Sequence, residues 1–95
     1  MIRILIIEDD QGIRGNTAEL LQLEGYLVAT ASNGRTGLEK IKCETPDLIL
    51  CDILMPEMDG FETCRKILSN PNNKNIPIIY LTARHDIESI TEGFK

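Results

Sequence analysis

The sequence predicts an α/β domain organised as a doubly wound parallel sheet, and two patterns in its 95 residues indicate this fold. Short runs of β-branched and aliphatic residues occur four times, and each is followed by a stretch with helical spacing of apolar residues. The resulting order is βαβαβαβα, which favours a parallel sheet with right-handed crossovers and helices on both faces. Function in such sheets is located beyond the carboxyl ends of the strands.

The first half of the chain contains two strand–helix pairs. The run 2–7, which is apolar except for Arg3, suits a strand that is covered on both faces, and a helix is expected over about 11–24. The helical positions predicted to face the sheet are Ile13, Thr17, Leu20, Leu21 and Leu23. A second strand over 26–30 precedes a turn and a helix from about Arg35, which ends before Pro46.

The second half repeats the pattern. A buried strand over 47–52 leads through a loop to a helix that Asp59 caps. The residues expected on the inner face of that helix are Phe61, Cys64, Ile67 and Leu68. Residues 70–73 break the helix, and a strand is expected over 76–81, with proline near its start, where it is tolerated. A final helix is indicated by Ile87, Ile90 and Phe94.

Composition and charge exclude several classes of function. The net charge of −5 opposes direct binding to nucleic acid, which needs clustered lysine and arginine. No apolar run approaches the length of a membrane span, and the amino terminus lacks the pattern of a signal peptide, so we expect a cytoplasmic protein. The three cysteines, Cys43, Cys51 and Cys64, contain no Cys-x-x-Cys pair and are interpreted as core residues of a reducing compartment.

Acidic side chains follow the predicted strands at the edge where function is expected. Glu8, Asp9 and Asp10 follow the first strand, Asp52 ends the third, and the hydroxyl residue Thr82 follows the fourth. Carboxylates that lie close together repel one another unless a cation lies among them. Oxygen ligands without histidine or cysteine favour a hard ion, and a few carboxylates with room for water suit Mg²⁺. The sequence therefore predicts a magnesium site.

Three segments resemble the receiver domains of two-component response regulators. They are residues 4–10 (ILIIEDD), 47–60 (DLILCDILMPEMDG) and 76–84 (IPIIYLTAR). The spacing also agrees, with 43 residues from Asp9 to Asp52 and 30 from Asp52 to Thr82, and Pro56 and Gly60 lie four and eight positions after the acid. The resemblance covers residues 1–95 as one receiver domain and implies a flavodoxin-like sheet with strand order 2-1-3-4.

The resemblance implies a role for each matching residue. Asp52 resembles the phosphoacceptor that takes a phosphoryl group from a sensor histidine kinase or a phosphotransfer protein. Glu8 and Asp9 resemble the acidic pair that holds Mg²⁺, with Asp9 the direct ligand, Glu8 acting through water and the backbone carbonyl of Leu54 as a further ligand. Thr82 resembles the hydroxyl that responds to phosphorylation. These roles describe a signalling switch rather than an enzyme.

The sequence departs from the family pattern at its end. Lys95 falls before the family's fifth strand and fifth helix, so the lysine that pairs with the phosphoryl group has no counterpart, and Lys95 is not assigned its role. We expect a C-terminally truncated receiver domain. Without a fifth strand, the apolar strand 76–81 would be a bare edge. A homodimer is therefore predicted, formed either by pairing of the two 76–81 edges or by exchange of the final helix.

Three other functions remain open at this point. The first is an inactive receiver-like interaction module, which would show no saturable magnesium binding. The second is a magnesium phosphatase with an aspartyl intermediate, although such enzymes typically place a second acid two residues after the nucleophile, where this chain has Leu54. The third is flavin binding on the same topology, although no phosphate-binding loop rich in serine, threonine or glycine follows the first strand.

Overall fold

Four parallel strands form one sheet in the structure, a computed structural model that describes residues 1–81. The strands are β1 (Arg3–Ile7), β2 (Leu27–Ala31), β3 (Leu48–Asp52) and β4 (Ile78–Leu81), and their order across the sheet is β2-β1-β3-β4. The fold class and strand order predicted from the sequence are therefore confirmed. The predicted final helix lies outside the described residues.

Three helices connect the strands, and a side-chain cap begins each one. They are α1 (Gln11–Leu23), α2 (Gly34–Cys43) and α3 (Gly60–Leu68). Asp10 caps α1 by accepting a hydrogen bond from the Ile13 amide at 2.9 Å, and Asn33 caps α2 in the same way. The Asp59 cap predicted for α3 is confirmed, because its Oδ1 accepts from the Glu62 amide at 2.8 Å. Each cap satisfies an amide that has no partner within its helix.

The helices cover both faces of the sheet. On one face, residues of α2 and α3 pack with Leu5, Ile7 and Ile49 in the larger core. On the other, Ala18 and Leu21 of α1 pack against Ile4, Ile6 and Leu50. Since both faces of β1 and β3 are covered, these strands are apolar almost without interruption. Within residues 1–81, no helix combines the length and apolar character needed to cross a membrane.

The predicted inner face of α1 is wrong at two positions. Leu20 and Leu23 are 65% and 77% exposed, whereas Leu21 packs against the sheet. At 3.6 residues per turn, Leu23 lies roughly 160° around the helix from Leu21. The inner stripe instead passes through Ala18, which the sequence interpretation omitted.

Several other predictions need smaller corrections. Phe61 and Leu68 of α3 are partly exposed rather than fully on its inner face, and Cys43 is exposed at the end of α2 rather than in the core. Residues 71–73 form a 3₁₀ turn. Strand β4 begins at Ile78 rather than 76. The preceding residue, Pro77, accepts a hydrogen bond from the Ile49 amide through its carbonyl, but its nitrogen has no hydrogen to donate to a neighbouring strand.

Candidate metal centre

The carboxyl ends of β1 and β3 bring three acidic side chains together. Ile7 pairs with Cys51 in the sheet, so the next residues, Glu8 and Asp52, lie beside each other at its edge. With Asp9, each contributes a carboxylate oxygen, and these oxygens all lie within 4.8 Å of one another. The structure therefore brings together the three carboxylates that the sequence predicts.

Burial distinguishes these acids from ordinary surface carboxylates. Glu8 and Asp52 are only 1% and 2% exposed, whereas Asp9 is exposed. Oε2 of Glu8 accepts a hydrogen bond from the Asp10 amide at 3.1 Å, but its buried Oε1 has no hydrogen-bond partner. A buried oxygen without a donor is costly, and a cation beside it would remove that cost. The all-oxygen donor set and the orphaned oxygen thus fit a hard cation such as Mg²⁺.

The pKa values of Glu8 and Asp52 are both raised, as expected for acidic side chains that are buried close together. Desolvation by burial and the neighbouring Asp52 together raise the pKa of Glu8 to about 7. Burial also raises the pKa of Asp52. The charged form of Glu8 is therefore disfavoured, because burial removes the carboxylate from water and the neighbouring Asp52 carboxylate repels it.

The raised pKa of Glu8 predicts how stability changes with pH when no metal is bound. The folded state holds a proton on Glu8 up to about pH 7, whereas the unfolded state releases it near the ordinary value of 4.5. Between these values the folded state binds more protons, so this stabilising contribution is complete below 4.5 and is lost as the pH rises to about 7. Urea unfolding with a chelator present should show Glu8→Gln gaining stability relative to the wild type over this range.

An exposed carboxylate provides the control for that experiment. Glu39→Gln on α2 changes the same chemical group at the surface. Its stability relative to the wild type should stay constant between pH 4.5 and 7. If Glu8→Gln gave the same flat profile as Glu39→Gln, the pKa of Glu8 would not be raised in the folded protein and this prediction would be wrong.

The loop between β3 and α3 is held tightly against Asp52. The Gly60 amide donates to the Ile53 carbonyl at 2.8 Å, and a Cβ added to Gly60 would lie 2.2 Å from the Asp52 carbonyl oxygen. The Leu54 amide donates to Oδ1 of Asp52 at 3.4 Å. Glu57 has a φ of 68°, the left-handed region that glycine prefers. Only glycine, which has no Cβ, fits at position 60 without a shift of the backbone.

The other predicted site residues are placed as follows. Leu54 lies in the loop after β3, where its side chain is 47% exposed. Thr82 lies outside the described residues. Cys51 is buried on the opposite side of β3 from the acids, in the same core cluster as Cys64, as the packing interpretation predicts.

Sequence reasoning missed one residue beside the acids. Arg14 donates through Nη1 to the backbone carbonyl of Glu8 at 2.9 Å, with a longer contact of 3.4 Å to that of Asp9. The available signal was its position in the first turn of α1, one turn after the Asp10 cap. A long side chain there can reach back to the preceding loop.

Comparisons with known proteins identify the class to which this fold and site belong. Residues 4–95 match the family of response regulator receiver domains. The transcriptional regulatory protein AfsQ1 of Streptomyces coelicolor is 41% identical over the whole chain, which covers 41% of that protein. The response regulator MprA of Mycolicibacterium vanbaalenii is 36% identical over 97% of the chain and 39% of that protein.

A solved structure gives the same result for the fold. The chemotaxis protein CheY4 of Vibrio cholerae matches with a TM-score of 0.89 and 35% identity, covering 99% of this chain and 78% of that one. The chain belongs to the response regulator receiver domain family. It spans about two-fifths of the length of the two curated relatives named above.

Proposed function

We propose that this chain is a magnesium-dependent phosphoacceptor module of two-component signalling, in which Asp52 receives a phosphoryl group from a sensor histidine kinase or a phosphotransfer protein. The observation that carries the proposal is the position of Asp52, almost fully buried at a strand end, with carboxylate oxygens of Glu8 and Asp9 within 4.8 Å. Receiver domains are signalling modules rather than enzymes, and membership of that family supports this proposal.

The proposed reaction is a transfer of phosphoryl from nitrogen to oxygen. A carboxylate oxygen of Asp52 attacks phosphorus, the bond between phosphorus and the histidine nitrogen breaks, and a mixed anhydride forms on Asp52. The leaving imidazole keeps the electron pair of the broken bond. Three acids around the incoming phosphoryl group would oppose this step, and a bound Mg²⁺ would supply the charge neutralisation.

The residues proposed to hold the ion are those that the resemblance to receiver domains implies, and the convergence of the three carboxylates supports them. Asp9 is the exposed acid and is proposed as a direct ligand together with Asp52, while Glu8 acts through water. The Leu54 carbonyl is proposed as the backbone ligand. The Leu54 amide, 3.4 Å from Oδ1 of Asp52, helps to fix the orientation of the carboxylate. Because the pKa of Glu8 is raised to about 7, we expect magnesium binding below that pH to compete with protonation.

Three further elements of the proposal extend beyond the described site. Thr82 is proposed as the hydroxyl that responds to the phosphoryl group on Asp52. The module is proposed to act in the cytoplasm, without direct contact to nucleic acid. Pairing of two chains through β4 stays a prediction, which light scattering after gel filtration tests.

Asp9→Asn should abolish saturable Mg²⁺ binding without unfolding the protein. The substitution removes a proposed direct ligand and at the same time relieves repulsion with Glu8 and Asp52. Isothermal calorimetry measures the affinity, and circular dichroism confirms that the variant is folded. Wild-type affinity should be modest, since Mg²⁺ gives up its water reluctantly.

A neighbouring acid provides the matched control. Asp10 accepts from the Ile13 amide as the cap of α1, and asparagine caps helices equally well. Asp10→Asn should therefore keep Mg²⁺ affinity within a few fold of wild type. If both variants bound Mg²⁺ as the wild type does, Asp9 would not be a ligand. If the wild type showed no saturable binding at all, the chain would be an inactive receiver-like interaction module.

A further inference from the structure

We infer that Arg14 is a positioning residue for the acidic site, because it fixes the backbone of Glu8 and Asp9 so that their carboxylates converge with that of Asp52. The inference rests on the proposed magnesium site and adds a residue that touches neither metal nor phosphoryl group. Nη1 of Arg14 lies 2.9 Å from the carbonyl oxygen of Glu8 and 3.4 Å from that of Asp9. One nitrogen thus spans the two backbone carbonyls that belong to the acidic pair.

The arginine is itself held in place by the start of the helix. Its amide donates to the Asp10 carbonyl at 2.9 Å, while the Asp10 side chain caps the amide of Ile13. The Asp10 amide in turn donates to Oε2 of Glu8 at 3.1 Å. Residues 8–14 are therefore connected by a network of hydrogen bonds, in which the Arg14 side chain links α1 to the end of β1.

The contacts favour positioning over neutralisation of charge. The guanidinium donates to main-chain carbonyls, and among residues 1–81 the one ion pair is between Arg3 and Glu44. Arg14 therefore forms no ion pair with the carboxylates of Glu8, Asp9 or Asp52. Residues behind metal ligands that hold their orientation commonly change metal affinity by about 10- to 100-fold when removed.

Three substitutions at Arg14 distinguish a role in positioning the backbone from a role in neutralising charge. Arg14→Met removes the donor and the charge, Arg14→Gln keeps a nitrogen donor without charge, and Arg14→Lys keeps both. We expect Arg14→Met to weaken Mg²⁺ binding by about tenfold or more, with part of the loss recovered by glutamine and more by lysine. If Arg14 acted through its charge alone, the Arg14→Gln and Arg14→Met variants would have the same Mg²⁺ affinity, or both would bind Mg²⁺ more tightly than the wild type. Either result would overturn the inference.

A second measurement uses the metal-free protein. Nuclear magnetic resonance should show that the Arg14→Met variant changes the amide shifts of Asp9 and Asp10 and accelerates their hydrogen exchange. Arg35→Met, which removes an exposed arginine from the first turn of α2, should leave these amides and the Mg²⁺ affinity unchanged. An arginine that only stabilises the fold would lower the unfolding midpoint but leave the affinity of the folded variant at the wild-type value, and that outcome also contradicts positioning.

The same titrations distinguish failure of the inference from failure of the proposed function. If the wild type binds Mg²⁺, Asp9→Asn abolishes binding and Arg14→Met matches the wild type, only the inference is wrong. If the wild type shows no saturable binding, the magnesium site and the role of Arg14 are both wrong.

Discussion

Replacing Gly60 with alanine should destabilise the domain by about 3 kcal/mol, a large effect for adding one methyl group. The added Cβ would lie 2.2 Å from the carbonyl oxygen of Asp52 and 2.8 Å from Cα of Ile53. Both are backbone atoms, so no side chain can rotate to make room. The helix α3 would have to move away from the end of β3, which would also displace Asp52. Chemical denaturation monitored by circular dichroism measures the loss.

Gly15 provides the matched control for that substitution. It lies inside α1, and a Cβ built there meets no atom within 4 Å. Gly15→Ala should therefore stabilise the protein by about 0.5–1 kcal/mol, because alanine loses less backbone entropy in a helix. Equal stability of the two variants would mean that α3 does not press against Asp52 as described.

Asp52→Asn should have the largest effect on function, reducing phosphoryl incorporation to background while stabilising the metal-free protein. The amide is a far weaker nucleophile than a carboxylate, so no mixed anhydride forms. The same change removes the buried Asp52 carboxylate, whose own charge is disfavoured by burial and whose presence disfavours ionisation of Glu8. Thermal unfolding with a chelator should thus show a raised midpoint, opposite in direction to the loss of function.

Asp59→Asn is the control for the loss of incorporation. Asp59 lies in the loop that follows Asp52, and asparagine can replace it as the cap of α3. This variant should accept phosphoryl as the wild type does. A similar loss in both variants would indicate damage to the loop rather than removal of the phosphoacceptor.

The acidic site could be predicted from the sequence because strand ends are easy to locate. Apolar runs that end in Glu8 and Asp52 define two strands, and parallel pairing brings their carboxyl ends to one edge.

The features that escaped prediction depend on side-chain direction rather than on spacing along the chain. Leu20 and Leu23 are apolar residues in an amphipathic helix, yet the sheet contacts a stripe that excludes them. The contact of Arg14 with two carbonyls requires a particular rotamer, which the sequence does not specify. Glu57 adopts a left-handed backbone conformation, which a glutamate in the sequence does not predict.

The central claim, that Asp52 is the phosphoacceptor, is tested most directly by locating the phosphoryl group. The wild-type protein would be incubated with Mg²⁺ and acetyl phosphate, digested and analysed by tandem mass spectrometry. We expect one phosphoryl group per chain, carried by Asp52 and absent when Mg²⁺ is removed with a chelator. Phosphoryl on another residue, or incorporation that does not depend on Mg²⁺, would contradict the account.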